Sequence, residues 1–380
     1  MRFLHTSDWH LGRIFHGLHM TDDQAIVLEE LIALVKESNV DAVLIAGDIY
    51  DRAVPPTQAV TLLDEVLRRL VQEAGKNVIM IAGNHDNADR LGFGQSLLSQ
   101  NKLYITGPVS PSTQPVVLYD TYGPVYFAPL TYGEPLAASE LLRQPLKTHE
   151  DVVRWQISNQ LRQIPDTARK VALAHVFLTG AQESPESERP LAIGGATTVG
   201  IDCFAPFNYA ALGHLHACQN GSSQVRYSGS LLKYSFNEVQ QSKGVHIIDM
   251  AADGSITVET VQLKPRRELA CLHGSFSELV SKPQPELYDC YLQVTLTDEQ
   301  PILDAKYRLE QVYPNILHLE YARLHTGRYA DTAAVNHKKL GTSELFEAFF
   351  TQVNNRQLTE SEKSLLSDII NSEVQTERQA

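Results

Sequence analysis

Five short stretches of this sequence place metal-binding or proton-transferring side chains directly after an apolar run. One of them, GNHD at residues 83–86, follows the apolar run NVIMIA. Glycine and asparagine favour a turn there, whereas the asparagine, histidine and aspartate side chains can bind a metal or move a proton. The other four stretches are SDWH at 7–10, GDIYD at 47–51, AH at 174–175 and GHLH at 213–216.

Each stretch is ambiguous when it is taken alone. A lone Asp-x-His is as often an ordinary turn, Gly-Asp after a strand is common, and an isolated His175 is more often a packed core residue than a ligand. In an α/β sheet, however, the carboxyl ends of the strands and the loops beyond them form the ligand-binding crevice. Five such stretches in one chain therefore indicate a single composite site.

Seven side chains in these stretches are candidate metal ligands: Asp8, His10, Asp48, Asn84, His175, His214 and His216. Carboxylate, imidazole and amide donors without thiolate suit Mn²⁺, Fe²⁺, Zn²⁺ or Mg²⁺. Seven donors are too many for one tetrahedral ion and are enough for two ions if one carboxylate bridges them. Two ions about 3.5 to 4 Å apart can activate water and hold a phosphoryl group, which is the chemistry of phosphatases and nucleases.

Apolar strands that alternate with amphipathic helices must position these loops. The first 82 residues predict a βαβαβ unit, with helices in DDQAIVLEELIALVKES and TQAVTLLDEVLRRLVQEA. Later strands come close together around turns, which favours more antiparallel pairs in the second half. The fold class is therefore α/β, with sheets flanked by helices.

The pattern of apolar and polar residues changes twice after this α/β part. We predict three parts, namely 1–265, a small α+β domain over 266–330, and a helical segment over 331–380. In the last part Thr359 and Glu362 are spaced as a capping box. Apolar residues recur there at helical spacing in two groups: Leu345, Phe346, Phe349, Phe350 and Val353, then Leu365, Leu366, Ile369 and Ile370. Such stripes can fold back on the small domain or bind a partner protein.

Composition limits the class of protein. The 380 residues carry a net charge of −13, which disfavours a broad surface for coating nucleic acid. Four cysteines stand far apart without a CxxC pair, which argues against a thiolate zinc site or a disulfide framework. No apolar run is long enough to span a bilayer, and we expect a cytoplasmic protein without membrane contact.

Longer motifs around the five stretches resemble a known family. The order DxH, GDxxD, GNHD, H, GHxH is similar to that of the calcineurin-like metallophosphoesterases, over roughly residues 1–250. Within that superfamily the chain most resembles the SbcD nuclease subunits, bacterial relatives of the double-strand-break repair nucleases of archaea and eukaryotes. The closer resemblance depends on LHTSDWHLGR, GDIYDRAVPP, GNHDNADRLGFG, ALGHLHACQ and RYSGSLLKYSFNE. It implies a β-sandwich flanked by helices, a small α+β capping domain and a helical C-terminal segment.

The resemblance also implies a role for each candidate residue. One metal would be held by Asp8, His10, Asp48 and His216, and the other by Asp48, Asn84, His175 and His214. His85 would face the phosphate as the catalytic histidine without binding metal. Two divalent ions per chain are implied, with Mn²⁺ favoured and Mg²⁺ or Fe²⁺ as alternatives.

One position differs from the archaeal and eukaryotic pattern, which has a second histidine after the GD strand. This chain has Asp51 there, as bacterial members commonly do. We expect the Asp51 carboxylate to accept a hydrogen bond from His85 and favour its protonated form. The next residue, Arg52, is a candidate for the phosphate contact or an ordinary surface charge.

The implied function is a metal-dependent DNA nuclease subunit in repair and recombination. It would act as a single-strand endonuclease and a 3′–5′ double-strand exonuclease on hairpins and DNA ends. The implied partners are DNA and an SbcC-type coiled-coil ATPase, with a homodimer inside a heterotetramer, associated with the bacterial nucleoid. The alternative is a small-substrate phosphatase or cyclic-nucleotide phosphodiesterase of the same fold, which would need no partner.

Overall fold

Strands and helices alternate through most of the chain. The structure, a computed structural model, describes residues 1–182, 184, 198–322, 350, 358–359 and 362–363. In these residues the strands are β1 (Arg2–Thr6), β2 (Ile14–Phe15), β3 (Leu18–His19), β4 (Ala42–Ala46), β5 (Asn77–Ile81), β6 (Leu103–Thr106), β7 (Val116–Asp120), β8 (Gly123–Leu130), β9 (Arg169–His175), β10 (Phe177–Leu178), β11 (Thr198–Val199), β12 (Tyr209–Gly213), β13 (Gln219–Asn220), β14 (Val225–Tyr227), β15 (Gly244–Met250), β16 (Ile256–Gln262), β17 (Leu269–Gly274), β18 (Tyr291–Leu296) and β19 (Ile316–Tyr321). The α-helices are α1 (Thr21–Glu37), α2 (Thr57–Arg68), α3 (Ala88–Leu91), α4 (Gln95–Leu98), α5 (Pro135–Leu142), α6 (His149–Leu161), α7 (Phe276–Ser281) and α8 (Ala305–Glu310).

Two mixed six-stranded sheets form the centre of the fold. The first has the order β16-β15-β1-β4-β5-β6, and the second has the order β13-β14-β12-β9-β8-β7. Antiparallel pairing is confirmed for β15 with β16, but β8, β9, β12 and β14 pair in parallel. These four strands are joined by connections long enough to return the chain to the same end of the sheet, which parallel pairing requires.

Side chains alternate along the strands between an inner core and an outer core. Phe3 and Leu44 point inward and pack with residues of the second sheet, such as Phe127. Their neighbours Leu4 and Val43 point outward and pack under the helices α1 and α2. Helix α6 covers the outer face of the second sheet in the same way. The predicted α/β sandwich of sheets flanked by helices is confirmed.

A smaller sheet follows the sandwich. It has the order β17-β18-β19 and is accompanied by α7 and α8. Met1–Glu320 form one compact unit and Tyr321–Ala380 form another. The boundaries predicted at residues 265 and 330 stay predictions. Within the described residues, no helix combines the length and the apolar character that a membrane span needs.

The predicted capping box near the end of the chain is present. Thr359 Oγ1 and the Thr359 backbone N–H donate to Glu362 Oε2 at 2.9 and 2.8 Å, and the Glu362 N–H donates to Thr359 Oγ1 at 3.4 Å. The two apolar stripes predicted on either side of it lie outside the described residues, apart from Phe350.

Candidate metal centre

The five stretches identified in the sequence meet at one edge of the sandwich. The carboxyl ends of β1, β4 and β5 reach this edge from the first sheet, and those of β9 and β12 reach it from the second. A hydrogen bond joins the two sheets there, because His175 Nδ1 lies 2.9 Å from the backbone oxygen of Ala46. All seven candidate ligands are thereby brought together across the junction between the sheets.

Asp8, His10 and His216 form one half of the candidate centre. One donor atom from each lies within 4.8 Å of the other two, and all three side chains are buried. The Nε2 atoms of His10 and His216 face each other at 3.0 Å. Two imidazole nitrogens at this separation need a shared proton or a cation between them, so the geometry fits a metal ion.

Asn84, His175 and His214 form the other half. Asn84 Oδ1 lies 2.8 Å from His175 Nε2 and 3.2 Å from His214 Nδ1. Asp48 lies between the halves, with Oδ1 3.5 Å from His175 Nε2 and Oδ2 3.7 Å from His10 Nε2. Its two oxygens therefore point toward both sets of donors, which supports a bridging role for this carboxylate.

The carboxylates of this centre are buried. Burial raises the pKa of the Asp8 carboxyl to about 8. Burial also opposes the charge on Asp48, but neighbouring imidazoles, chiefly that of His175, hold its pKa well below the ordinary value. Burial likewise disfavours a charged His175, yet Asp48 raises the pKa of that imidazole to about 9. Asp48 thus requires positive charge beside it, which is the electrostatic setting of a cation site.

The imidazoles of the other three candidate ligands, His10, His214 and His216, are held in the neutral form that metals bind. Burial lowers the pKa of His214 to about 3, with repulsion from His175 adding to the effect. Burial also lowers the pKa values of His10 and His216. Each ring then keeps a nitrogen lone pair at neutral pH. The donor chemistry of these residues therefore fits two divalent ions.

Backbone conformation at the ligands is unusual for residues with side chains. Asp8, His10, Asp48 and His214 have positive φ angles of 52°, 47°, 50° and 105°. Such angles cluster where surrounding structure holds a functional site in a strained form. Gly83 lets its backbone lie against Asp48, since a Cβ at residue 83 would lie 2.1 Å from Asp48 Oδ1.

Two supporting carboxylates were missed in the sequence. Asp86 accepts hydrogen bonds from the backbone N–H groups of Ile49, Tyr50 and Gly83 at 2.9 to 3.1 Å, and so ties the GDIYD loop to the GNHD loop. Glu238 is fully buried, and its Oε1 lies 3.3 Å from His216 Nδ1. A carboxylate that holds a ligating histidine in this way sets its tautomer and orientation. Both residues belong to motifs already noted, GNHD and RYSGSLLKYSFNE.

A buried ammonium group completes the support of His216. Lys243 Nζ lies 2.5 Å from Glu238 Oε2 and donates to the backbone oxygen of His216 at 2.7 Å. Burial opposes the charge on Glu238, but His216 and Lys243 lower the pKa of its carboxyl to about 2. The ion pair therefore holds both the ring and the backbone of this candidate ligand.

The expected hydrogen bond between His85 and the Asp51 carboxylate is not formed, and that part of the prediction is wrong. His85 Nδ1 instead donates to the backbone oxygen of Asp51 at 2.8 Å. Arg13 Nη1 holds Asp51 Oδ1 at 3.0 Å, and this oxygen lies 3.8 Å from His10 Nδ1. The carboxylate is drawn toward these groups because Arg13 carries a full positive charge. Arg52 is exposed. Its contact with the phosphate stays a prediction.

Comparison with known proteins identifies the family. The sequence profile of the calcineurin-like phosphoesterases matches residues 1–218, and a profile described as the type 5 capsule protein repressor C-terminal domain, SbcD_C, matches residues 265–354. A protein of Staphylococcus epidermidis, named as a subunit of the nuclease SbcCD, is 31% identical over 98% of this chain and 100% of its own length.

Solved structures overlap more loosely. A Thermus thermophilus protein matches with a TM-score of 0.41 and 15% identity over 69% of this chain and 98% of its own. A dimetal phosphatase from Danio rerio matches with a TM-score of 0.38 and 12% identity over 70% of this chain and 98% of its own. Overlap at this level indicates nothing about the substrate. The profile match and the full-length relative show that the chain belongs to the calcineurin-like phosphoesterase family and, within it, to the SbcD group.

Proposed function

We propose that this chain is the nuclease subunit of an SbcCD-type complex and hydrolyses DNA phosphodiester bonds with two divalent ions. The observation that carries the proposal is the donor set at the sheet junction, in which Asp48 faces two groups of ligands. The full-length relative named as a nuclease subunit supports the choice of DNA as substrate.

The two groups of ligands have complementary roles in this proposal. Asp8, His10, Asp48 and His216 would hold one ion, and Asp48, Asn84, His175 and His214 would hold the other. The ions, with Mn²⁺ favoured, would supply an activated water and neutralise charge on the phosphoryl group. Positive charge at the cleft also offsets the acidic total of the chain, which otherwise disfavours DNA binding.

His85 is the proton donor of the proposed reaction. Its Nδ1 is committed to the Asp51 backbone oxygen, and its own backbone N–H donates to Asp48 Oδ1 at 2.9 Å. The ring is edge-on to His10 at a centroid distance of 4.7 Å. When the ring is an imidazolium, Nε2 is therefore the nitrogen that can give its proton to the departing sugar oxygen, with the ring orientation set from two sides.

The decisive assay compares two substrates. Purified protein with Mn²⁺ is incubated with labelled single-stranded DNA and, separately, with a small chromogenic phosphodiester. We expect endonucleolytic cleavage of the DNA and, on duplex ends, 3′–5′ exonuclease products. Turnover of the small ester without any cleavage of DNA would favour the alternative, a small-substrate phosphatase or cyclic-nucleotide phosphodiesterase.

The proposed partner is a coiled-coil ATPase of the SbcC type, bound through the segment 331–380, in a heterotetramer built on a homodimer of this chain. The second profile matches residues 265–354 and so covers the first part of this segment together with the small α+β part. Truncation after Leu340 should leave cleavage of single-stranded DNA intact and abolish co-purification with the ATPase. Unchanged binding of the ATPase by the truncated chain would place docking elsewhere.

A further inference from the structure

Gln24, in the first turn of α1, holds the loop that carries His10. Its side chain is fully buried, and Nε2 donates to the backbone oxygen of His10 at 2.7 Å. Oε1 accepts from the backbone N–H of Gly12 at 3.0 Å. One amide therefore satisfies two backbone groups of a loop whose conformation is strained at His10.

Tyr234 contacts the same loop and also Gln24. Its hydroxyl accepts a hydrogen bond from Gln24 Nε2 at 2.9 Å and donates to the backbone oxygen of Trp9 at 2.6 Å. Its ring packs edge-on against His10 at a centroid distance of 5.6 Å. The position of His10 thus depends on where Gln24 lies.

The residue before Gln24 makes a buried contact with the small sheet. Tyr291 is the first residue of β18, and its hydroxyl donates to the two carboxylate oxygens of Asp23 at 3.1 and 3.2 Å. Both side chains are buried. Asp23, Arg267 and Tyr291 all line a cleft of about 220 Å³. Because the cleft side of the contact is not closely packed, the hydrogen bond is what holds the two side chains together there.

We infer that Tyr291 is a positioning residue for the metal centre, acting through Asp23 and Gln24 on the loop of His10. Asp23 and Gln24 lie in the same helical turn, so a shift of one moves the other. The small α+β part would then set the metal affinity of the half that contains His10. This inference depends on the metal centre proposed above.

The test measures Mn²⁺ binding to the full chain by isothermal titration, together with the melting temperature of the metal-free protein. Tyr291→Phe removes one hydroxyl and keeps the ring. We expect the Kd of one Mn²⁺ site to rise by about threefold to tenfold and the other to stay unchanged. Asp23→Ala should have the same effect, and Asp23→Asn, which keeps an acceptor oxygen, should restore most of the affinity.

The matched control is Tyr313→Phe. Tyr313 is also fully buried in the small α+β part, but its hydroxyl contacts the Gln284 N–H at 3.0 Å and nothing in α1. The Tyr313→Phe variant should have a lower melting temperature and unchanged Kd values at both Mn²⁺ sites. Equal Mn²⁺ affinities in Tyr291→Phe and the unaltered protein would overturn the inference and leave the proposed function standing. If the unaltered protein bound no Mn²⁺, the proposed function would fail as well.

Discussion

The two halves of the candidate metal centre are held in different ways. Around His10 and His216 the support comes from long polar side chains, including Gln24 and the buried pair of Glu238 and Lys243. Around His175 it comes from the backbone of the facing sheet. The first half depends on the side chains that surround it, whereas His175 in the second half depends on how the two sheets are joined.

Exposure differs in the same direction. Asp8 and His10 are 0% exposed, and His175 and His214 are also buried, so the difference comes from Asn84 alone, which is partly exposed. Metals exchange more slowly at a sealed site, and substrate reaches an open one first. We therefore expect a tighter ion beside His10 and an ion beside Asn84 that meets the phosphate, and the following changes test this division.

The largest effect is expected from Asp48→Ala, which removes the carboxylate that faces both halves. Activity should fall below detection, and bound metal should fall from two ions per chain to one or none. Elemental analysis of the purified variant measures this directly. Two tightly bound ions in the variant would show that Asp48 does not bridge.

His85→Ala should separate chemistry from metal binding. In the proposed assignment the His85 imidazole binds neither ion, so both ions should remain. Cleavage should slow by about 10²- to 10⁴-fold, the usual scale for losing a general acid or base. Loss of metal from this variant would make His85 a ligand.

Glu238→Gln tests the support of the first half alone, which contains Asp8, His10 and His216. The change keeps the shape of the side chain and removes the charge that holds His216 and Lys243. We expect Mn²⁺ affinity at one site to weaken by about 10- to 100-fold, the range for groups behind a ligating histidine. Calorimetric titration resolves the two sites, and Glu278→Gln in the exposed capping box of α7 is the matched control. Equal weakening of both sites would erase the distinction between the halves.

The smallest effect on the metal centre is expected from a change at the opposite end of β1. Asp120 pairs there with Arg169 at 2.6 Å and with the N-terminal ammonium at 2.8 Å. Hydrogen bonds from Arg169, acting against burial, hold the pKa of Asp120 below its ordinary value. A depressed folded-state pKa stabilises the protein above the unfolded value of about 4, and this contribution is lost as the pH falls further.

Asp120→Asn should therefore lower the free energy of unfolding at pH 7 by about 1.5 to 3 kcal/mol, the scale of a hydrogen bond to a charged group. The deficit should shrink as the pH falls below about 4, because Asp120 of the unaltered protein then takes up a proton in the unfolded state, whereas the folded state does so only at a lower pH. Denaturant titration at several pH values measures it. Mn²⁺ affinity should not change, and a change would mean that the metal centre senses the far end of the sheet.

The arrangement of the candidate ligands was predictable because each one lies at or just beyond the carboxyl end of one of five strands. Asp8, Asp48 and Asn84 stand one to three residues beyond an apolar run, and parallel strands deliver such positions to one edge. The helices α1 and α2 were predictable for a similar reason, since their apolar residues recur at helical spacing. All of this information is local in the chain.

The role of Asp51 could not be predicted in the same way. The sequence places a carboxylate near His85 but does not say which of its oxygens, side chain or backbone, makes the contact. Arg13, which is 38 residues away, decides the outcome by binding the carboxylate. A local motif gives no information about a competing charge that comes from a distant segment of the chain.

The sequence by itself determined the donor types, their order along the strands and the α/β class, because these depend on neighbours within a few residues. Only the tertiary structure decided which groups hold those donors in place. Gln24 and Glu238 are ordinary polar residues in the sequence, and their importance comes from burial against His10 and His216, which other segments bring to them. A buried polar group must find a partner wherever the fold places one, so its function is a property of the packed molecule.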